Sequence, residues 1–377
     1  MSKWTGKFVI GLTGNIGTGK SSVRRMLEHL GAYGIDADAL SHRVIARDAP
    51  GYQPVINTFG SWVLTPQKEI DRARLARLVF SDPDALQRLE KIVHPLVEQA
   101  VNYLANHAKQ PVVVLEAIKL LESNLYSLCD SIWVVTTTPE NQINRLVQNR
   151  GMSEEEARRR IEAQSPPGQK IAMANVIIQN DGTVEETWKQ VTDEWQRLAL
   201  PVFPEQPAET AQPAAQAGIS RAKPKDASFI ASFLNRTLRK APPLTRADII
   251  TSFSENSYLL LKTGTRMEGV LGWQVENLVA RVSEIALDAS LIAEQALPPL
   301  IKEMENAAKE LQCEAALIRI PINLEGLQEM WTQLGYRECG VKSLSVNAWK
   351  EAAQELAKPG DVVLFKQLRQ DRVLRPI

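Results

Sequence analysis

The sequence predicts an α/β fold with a doubly wound parallel sheet over residues 1–200, followed by a separate α+β domain over residues 219–377. Three observations carry this prediction. Short β-branched apolar runs alternate with longer amphipathic stretches through the first part. A glycine-rich phosphate-loop pattern follows the first of these runs directly. The stretch "PVFPEQPAETAQPAAQAG" (201–218) then breaks the alternation. Rich in Pro, Ala and Gln and without a core-forming period, it reads as a semi-extended linker.

The predicted strands of the first part are "KFVIGL" (7–12), "PVVVLEAI" (111–118), "SIWVVTTT" (131–138) and "NVIIQN" (175–180). They are continuous apolar runs rather than alternating ones, as expected for parallel strands covered on both faces. Between them the spacing predicts helices over 20–30, 38–46, 72–80, 83–107, 139–149, 153–164 and 183–198. After the linker the reading continues with a helix over 227–238 and strands over 257–263, 266–277 and 280–288. A helix over 294–311, a strand over 314–321, a helix over 325–334 and strands over 336–346 and 361–368 complete it.

A chain of 377 residues is long enough for two domains. Lys plus Arg equals Asp plus Glu at 44 each, so no global basic field invites nucleic acid, and none is expected as a partner. The three cysteines, Cys129, Cys313 and Cys339, are odd in number and form no C-x-x-C, which points to a reducing compartment. No apolar run approaches the roughly 18–20 residues that cross a bilayer. "FVIGL" is interrupted by Thr13, Gly14 and Asn15 before it can act as a signal peptide. The expected location is the cytoplasm, with no membrane partner.

"GLTGNIGTGKSS" (11–22) contains G-x-x-x-x-G-K-[ST] without a mismatch. Such a loop works because consecutive backbone amides point at phosphate oxygens while the loop opens a helix N-terminus. Gly14, Asn15, Ile16, Gly17, Thr18, Gly19, Lys20, Ser21 and Ser22 are therefore the expected ATP-phosphate site. Lys20 reaches the β- and γ-phosphates, and the Ser21 hydroxyl is the expected ligand of Mg²⁺. Further on, "YGIDADALSHRV" (33–44) places Asp36 and Asp38 near the carboxyl edge of the sheet, where ligands bind in such folds. A carboxylate there suits acceptance of a hydroxyl proton; it suits an Asx turn or helix cap equally well.

These segments, followed in order by "IDRARLARLVF" (70–80), "LEKIVHPLV" (89–97), "LLESNLYSLCD" (120–130), "TTPENQINRLVQNRG" (138–151) and "RRIEAQ" (159–164), resemble the dephospho-CoA kinase family over about residues 7–198. The resemblance implies a P-loop kinase fold with a helical substrate region and a lid. It also implies ATP-dependent phosphorylation of the ribose 3′-hydroxyl of dephospho-CoA. By the same resemblance Asp38 engages the attacking hydroxyl, and His42, His94 and Lys119 lie on the substrate side. Arg145 lies near the phosphates or adenine, Asn180 beside the base, and Arg150, Arg160 and Gln164 in the lid. The bland reading of the lid arginines is i,i+4 pairing of Glu154–Glu156 with Arg158–Arg160. Two departures stand out: Ile118 and Lys119 replace the Pro-Leu-Leu element that commonly precedes the glutamate at Glu122, and Ala174-Asn175 replaces Ala-Asp. The loop and Asp pair alone leave open a nucleoside or nucleotide kinase, or a regulatory ATPase.

Residues 219–350 resemble the GNAT acyltransferase architecture, with "LGYRECG" (334–340) as the most suggestive local match. In that family a glycine-bearing loop opening the long helix holds the acetyl-CoA pyrophosphate. The corresponding stretch "LDASLIAEQALPPLIKEME" (287–305) has no glycine, so its amides cannot form the same nest. The expectation is a degenerate GNAT-like module, with CoA or an acyl-CoA as its possible ligand.

Overall fold

The computed structural model describes residues 4–198, 217–239, 241–320, 326–340, 343–344, 346–357 and 362–369. The chain falls into two compact units. One comprises Met1–Asp36, Ala108–Trp273 and Glu284–Leu300, the other Ala37–His107, Gln274–Ser283 and Ile301–Ile377. The expected linker lies outside the described residues except for Ala217 and Gly218, which open a strand.

The first half runs β1 (Phe8–Thr13), α1 (Lys20–His29), β2 (Tyr33–Asp36), α2 (Ala37–Arg43), α3 (Tyr52–Phe59), α4 (Arg72–Ser81), α5 (Pro83–His107) and β3 (Val112–Glu116). It continues through β4 (Ser131–Thr136), α6 (Pro139–Arg150), α7 (Glu154–Glu162), α8 (Pro167–Ala172), β5 (Val176–Gln179) and α9 (Val184–Arg197). The five strands pair in parallel in the order β2-β3-β1-β4-β5. The chain leaves β1 towards β2 on one side and reaches β4 and β5 on the other, so the crevice at the carboxyl end of β1 is the switch point of the sheet.

Side-chain size explains why β1 can sit in the middle. Val9, Ile10 and Leu12 are wholly buried. At Gly11 a Cβ would press against Cys129, Leu120 and Ile132. α1 seals one face with Val23, Met26 and Leu27, and α9 closes the same core with Val191. A capping box, Thr183 with Glu186, starts α9. Thr138 caps α6 and Ser153 caps α7, while Gly151 in the left-handed region ends α6.

The second half runs β6 (Ala217–Arg221), α10 (Ala227–Leu238), α11 (Arg246–Ser252), β7 (Ser257–Thr263), β8 (Arg266–Glu276) and β9 (Val279–Leu287). After these come α12 (Ala293–Glu310), β10 (Ala315–Ile320), α13 (Gln328–Gln333), β11 (Arg337–Glu338), α14 (Asn347–Leu356) and β12 (Val362–Gln367). The strands form one sheet in the order β11-β12-β10-β9-β8-β7-β6, antiparallel except for the parallel pair β9/β10. The α+β expectation is met. Among the described residues, the strand expected over 336–346 is Arg337–Glu338, because only these two residues pair with β12. Strands β2 and β6 and helices α3, α8, α11 and α14 are additions to the sequence reading. No helix among the described residues is long and apolar enough to cross a membrane.

Val184 and Trp188 of α9 pack against two cores, that of the parallel sheet and that built from α10, α11 and β7. His29, in the last turn of α1, completes this seam. Its ring lies 5.7 Å from that of Trp188 and 5.2 Å from that of Phe253, and its Nε2 donates to the Phe253 carbonyl at 2.9 Å. The helix C-terminus favours a charged imidazole, but burial outweighs it and lowers the His29 pKa. The depressed folded value means that the unfolded chain binds this proton more readily. His29 therefore contributes its full stability above its ordinary value of about 6.5 and loses it as pH falls through the folded value. The urea midpoint should drop between about pH 7.5 and about pH 5.5, and His29→Gln should flatten that drop. An unchanged slope in the variant would place the pH dependence elsewhere.

Candidate active site

The loop between β1 and α1 sits where the sheet divides. Gly14, Gly17 and Gly19 all have positive φ, at 148°, 75° and 93°, and Gly19 is the N-cap of α1. A run of this kind turns backbone N–H groups inward, towards an anion. Its carbonyls must then face outward, and each needs a donor. The structure supplies them from α6, from the residue that follows β5 and from Lys20 itself.

Arg145 of α6 donates from Nη1 to the carbonyls of Gly17 (3.4 Å) and Thr18 (3.2 Å) and from Nη2 to Asn180 O (2.7 Å). Asn180, just past β5, donates from Nδ2 to Thr18 O at 2.8 Å and accepts from Thr187 Oγ at 2.8 Å. Gln142 donates to Ile16 O, and Ile16 N donates to the Gln164 side chain, both at 2.7 Å. Asn15 Nδ2 donates to Ser165 O at 3.1 Å. Lys20 Nζ donates to Asn15 O at 3.2 Å. The sequence reading put Arg145 near the phosphates or adenine and Asn180 beside the base; here Arg145 and the Asn180 Nδ2 group hold the Thr18 carbonyl of the loop, while Thr187 holds the other end of the Asn180 amide. Burial lowers the Arg145 pKa and the Asp181 carboxylate works against this, but a guanidinium stays charged at any working pH.

A second cluster was not anticipated. Glu116 ends β3 and is buried. Its Oε1 accepts from Ser21 Oγ at 2.9 Å, and its Oε2 accepts from Arg24 Nε at 2.7 Å. Burial opposes the charge on Arg24, but the carboxylates of Glu28, Glu116 and Asp36 outweigh it and raise its pKa. A carboxylate closing an otherwise apolar run, as in "VVVLE", was the available signal: nothing but function or pairing keeps a charge at that edge. Lys170 of α8, also buried, donates to Ile118 O at 2.7 Å. Lys119 is exposed in the turn beyond β3.

The segment expected to form the lid folds as the end of α6 and as α7. Leu146 and Ala157 pack on Ile16, which ties the loop tip to these helices. Arg158 pairs with Glu154 at 2.6 Å and Arg160 with Glu156 at 2.8 Å, all on the solvent side, which is the bland i,i+4 arrangement. Arg150 ends α6. In the other unit, Asp38 lies in the first turn of α2, two residues beyond the carboxyl end of β2. His42 lies in the last turn of α2, and His94 is exposed on α5 immediately before Pro95.

A glycine-rich loop leading from the central parallel strand into a helix that begins Lys20-Ser21 defines a P-loop nucleotide-binding protein. Residues 8–186 match the dephospho-CoA kinase family profile. The dephospho-CoA kinase of Streptomyces avermitilis is 43% identical over 190 residues, which are 50% of this chain and 93% of that protein. The chain belongs to the dephospho-CoA kinase family. A solved dephospho-CoA kinase from Campylobacter jejuni is 25% identical, with a TM-score of 0.38 over 50% of this chain and 96% of the other. For the C-terminal part, a GNAT-family acetyltransferase from Staphylococcus aureus is 12% identical, with a TM-score of 0.32 over 41% of this chain and 100% of the other.

The clamp on the loop carbonyls is testable. Asn180→Ala leaves Thr18 O without its buried amide donor and should weaken ATP binding about tenfold in calorimetry. Gly19→Ala should abolish binding, because a Cβ there overlaps Asn180 Nδ2 and the backbone φ of 93° disfavours any side chain. Wild-type affinity in either variant would remove the clamp from the account.

Proposed function

We propose that this chain transfers the terminal phosphoryl group of ATP to the ribose 3′-hydroxyl of dephospho-CoA, giving CoA and ADP in the cytoplasm. The observation that carries the reading is the Gly14–Ser21 loop, held by Arg145, Asn180, Gln142 and Gln164 at the carboxyl end of β1. Residues 1–200 are the proposed kinase domain, 201–218 the linker and 219–377 the appended domain.

In this mechanism the loop amides and Lys20 Nζ hold the β- and γ-phosphates, with a phosphate oxygen taking the place of Asn15 O on the ammonium. Asp38 orients the 3′-hydroxyl and takes its proton as the new P–O bond forms and the bond to ADP breaks. α6 and α7 exclude water, which would otherwise divert ATP to hydrolysis. Ser21 Oγ and the Glu116 carboxylate offer hard oxygen donors of the kind Mg²⁺ prefers, so these two residues fit a nucleotide-bound Mg²⁺. When bound, that ion would neutralise charge on the transferring phosphate.

The appended domain fits a packing module better than an acetyltransferase. At the entrance of α12, Asp288 accepts from Ser290 Oγ (2.8 Å) and Ser290 N (3.1 Å), and these bonds hold its pKa down to about 2. An ionised carboxylate thus takes the amide that a bound pyrophosphate would need.

Asp38→Asn should lower kcat in an ADP-release assay with dephospho-CoA by about 10²–10⁴-fold and leave ATP affinity within about twofold. Equal loss of both would contradict the role given to Asp38. The wild-type chain should turn over dephospho-CoA in clear preference to AMP or uridine; the reverse preference would reassign the acceptor.

A further inference from the structure

Within the unit that contains α2, Arg43 closes the helix that Asp38 opens. Arg43 is only 8% exposed, and its Nη2 donates to Glu314 Oε2 at 2.7 Å, a carboxylate only 1% exposed. Its Nη1 donates to the carbonyl of Asn277. Asn277 and Leu278 are the two-residue turn between β8 and β9, both left-handed at φ 51° and 58°, a geometry that directs the Asn277 carbonyl outward. Glu314 is itself fixed at its backbone: its N–H donates to Leu278 O at 2.7 Å, and its carbonyl accepts from Leu368 N at 2.9 Å. The guanidinium therefore meets two acceptors that belong to the appended segment and are locked by its sheet.

Other contacts between the same parts are weaker. Lys350–Glu69 at 3.6 Å is half-buried and Arg72–Glu351 at 3.9 Å is exposed; both are long and reached by solvent, so screening weakens them. Arg369 Nη2 donates to Tyr103 Oη on α5 at 2.9 Å. Of these contacts among the described residues, the Arg43–Glu314 ion pair is the one buried on both sides. Such a pair tolerates no half-measures, because removing one partner orphans a buried charge.

We propose that Glu314 is a positioning residue for the kinase reaction: through Arg43 it sets the placement of α2, and with it Asp38, for dephospho-CoA. The appended domain is then part of the acceptor site's support rather than a passenger. This rests on the role assigned to Asp38 under the proposed function.

The test uses the full chain carrying Glu314→Gln, which keeps shape and removes charge. The expected result is a KM for dephospho-CoA raised about tenfold, within the usual range of coupling between sites, with kcat within about threefold and ATP affinity within about twofold. Amides of residues 37–43 should exchange with deuterium at least about tenfold faster, while those of β1 stay unchanged. An unchanged KM overturns the proposal, and so does a parallel loss of ATP affinity, which would mark Glu314 as a general stabiliser. If Glu314→Gln does not fold, the double variant Arg43→Met/Glu314→Leu leaves no orphaned charge and is judged by the same measurements. A null result for Asp38→Asn together with a raised KM for Glu314→Gln would retire the Asp38 role and keep α2 as a substrate-binding element.

Discussion

A loop that gathers its amides around an anion cannot also keep its carbonyls hydrogen-bonded to itself. That constraint organises the N-terminal half. With Gly14, Gly17 and Gly19 in positive φ, the outward carbonyls of Ile16, Gly17 and Thr18 take donors from Gln142, Arg145 and Asn180, residues more than a hundred positions away. β4 must therefore lie beside β1 with β5 next to it, and α6 must return over the loop. The parallel order of the sheet and the packing of Leu146 and Ala157 on Ile16 both serve this end.

Charge is arranged on the same logic. Beside the loop, the Ser21 hydroxyl donates to the buried Glu116 carboxylate, which fixes its direction. A buried carboxylate is costly unless paired, so Arg24 one turn along α1 answers it, and Glu28 and Asp36 keep Arg24 charged. The chain's overall neutrality thus hides strong local pairing, at Glu116–Arg24 and at Arg43–Glu314 alike.

Most of the scaffold was legible in the sequence because its signals are local. Apolar runs gave β1, β3, β4 and β5 to within a residue or two, and the amphipathic spacing between them gave α6 and α7, whose caps Thr138 and Ser153 the structure then shows. β2 escaped because "YGID" is short and its burial alternates. α11 escaped although its Thr245–Asp248 capping box was readable, and α14 because Val346 before it offers no side-chain cap. In the candidate site, the loop was legible as a pattern, whereas the contacts of Asn180 and Glu116 depend on which strands become neighbours. No spacing rule reveals that Asn180 holds Thr18 across 162 residues of chain.

Val184 and Trp188 show what fusion has done to this kinase. On an independent enzyme the outer face of α9 would meet water; here it is the floor of a second core, with His29 and Phe253 sealing the joint. Val184 and Trp188 are thus shared property of two cores: a substitution at either position is felt by the parallel sheet and by the packing of α10 and α11 at once.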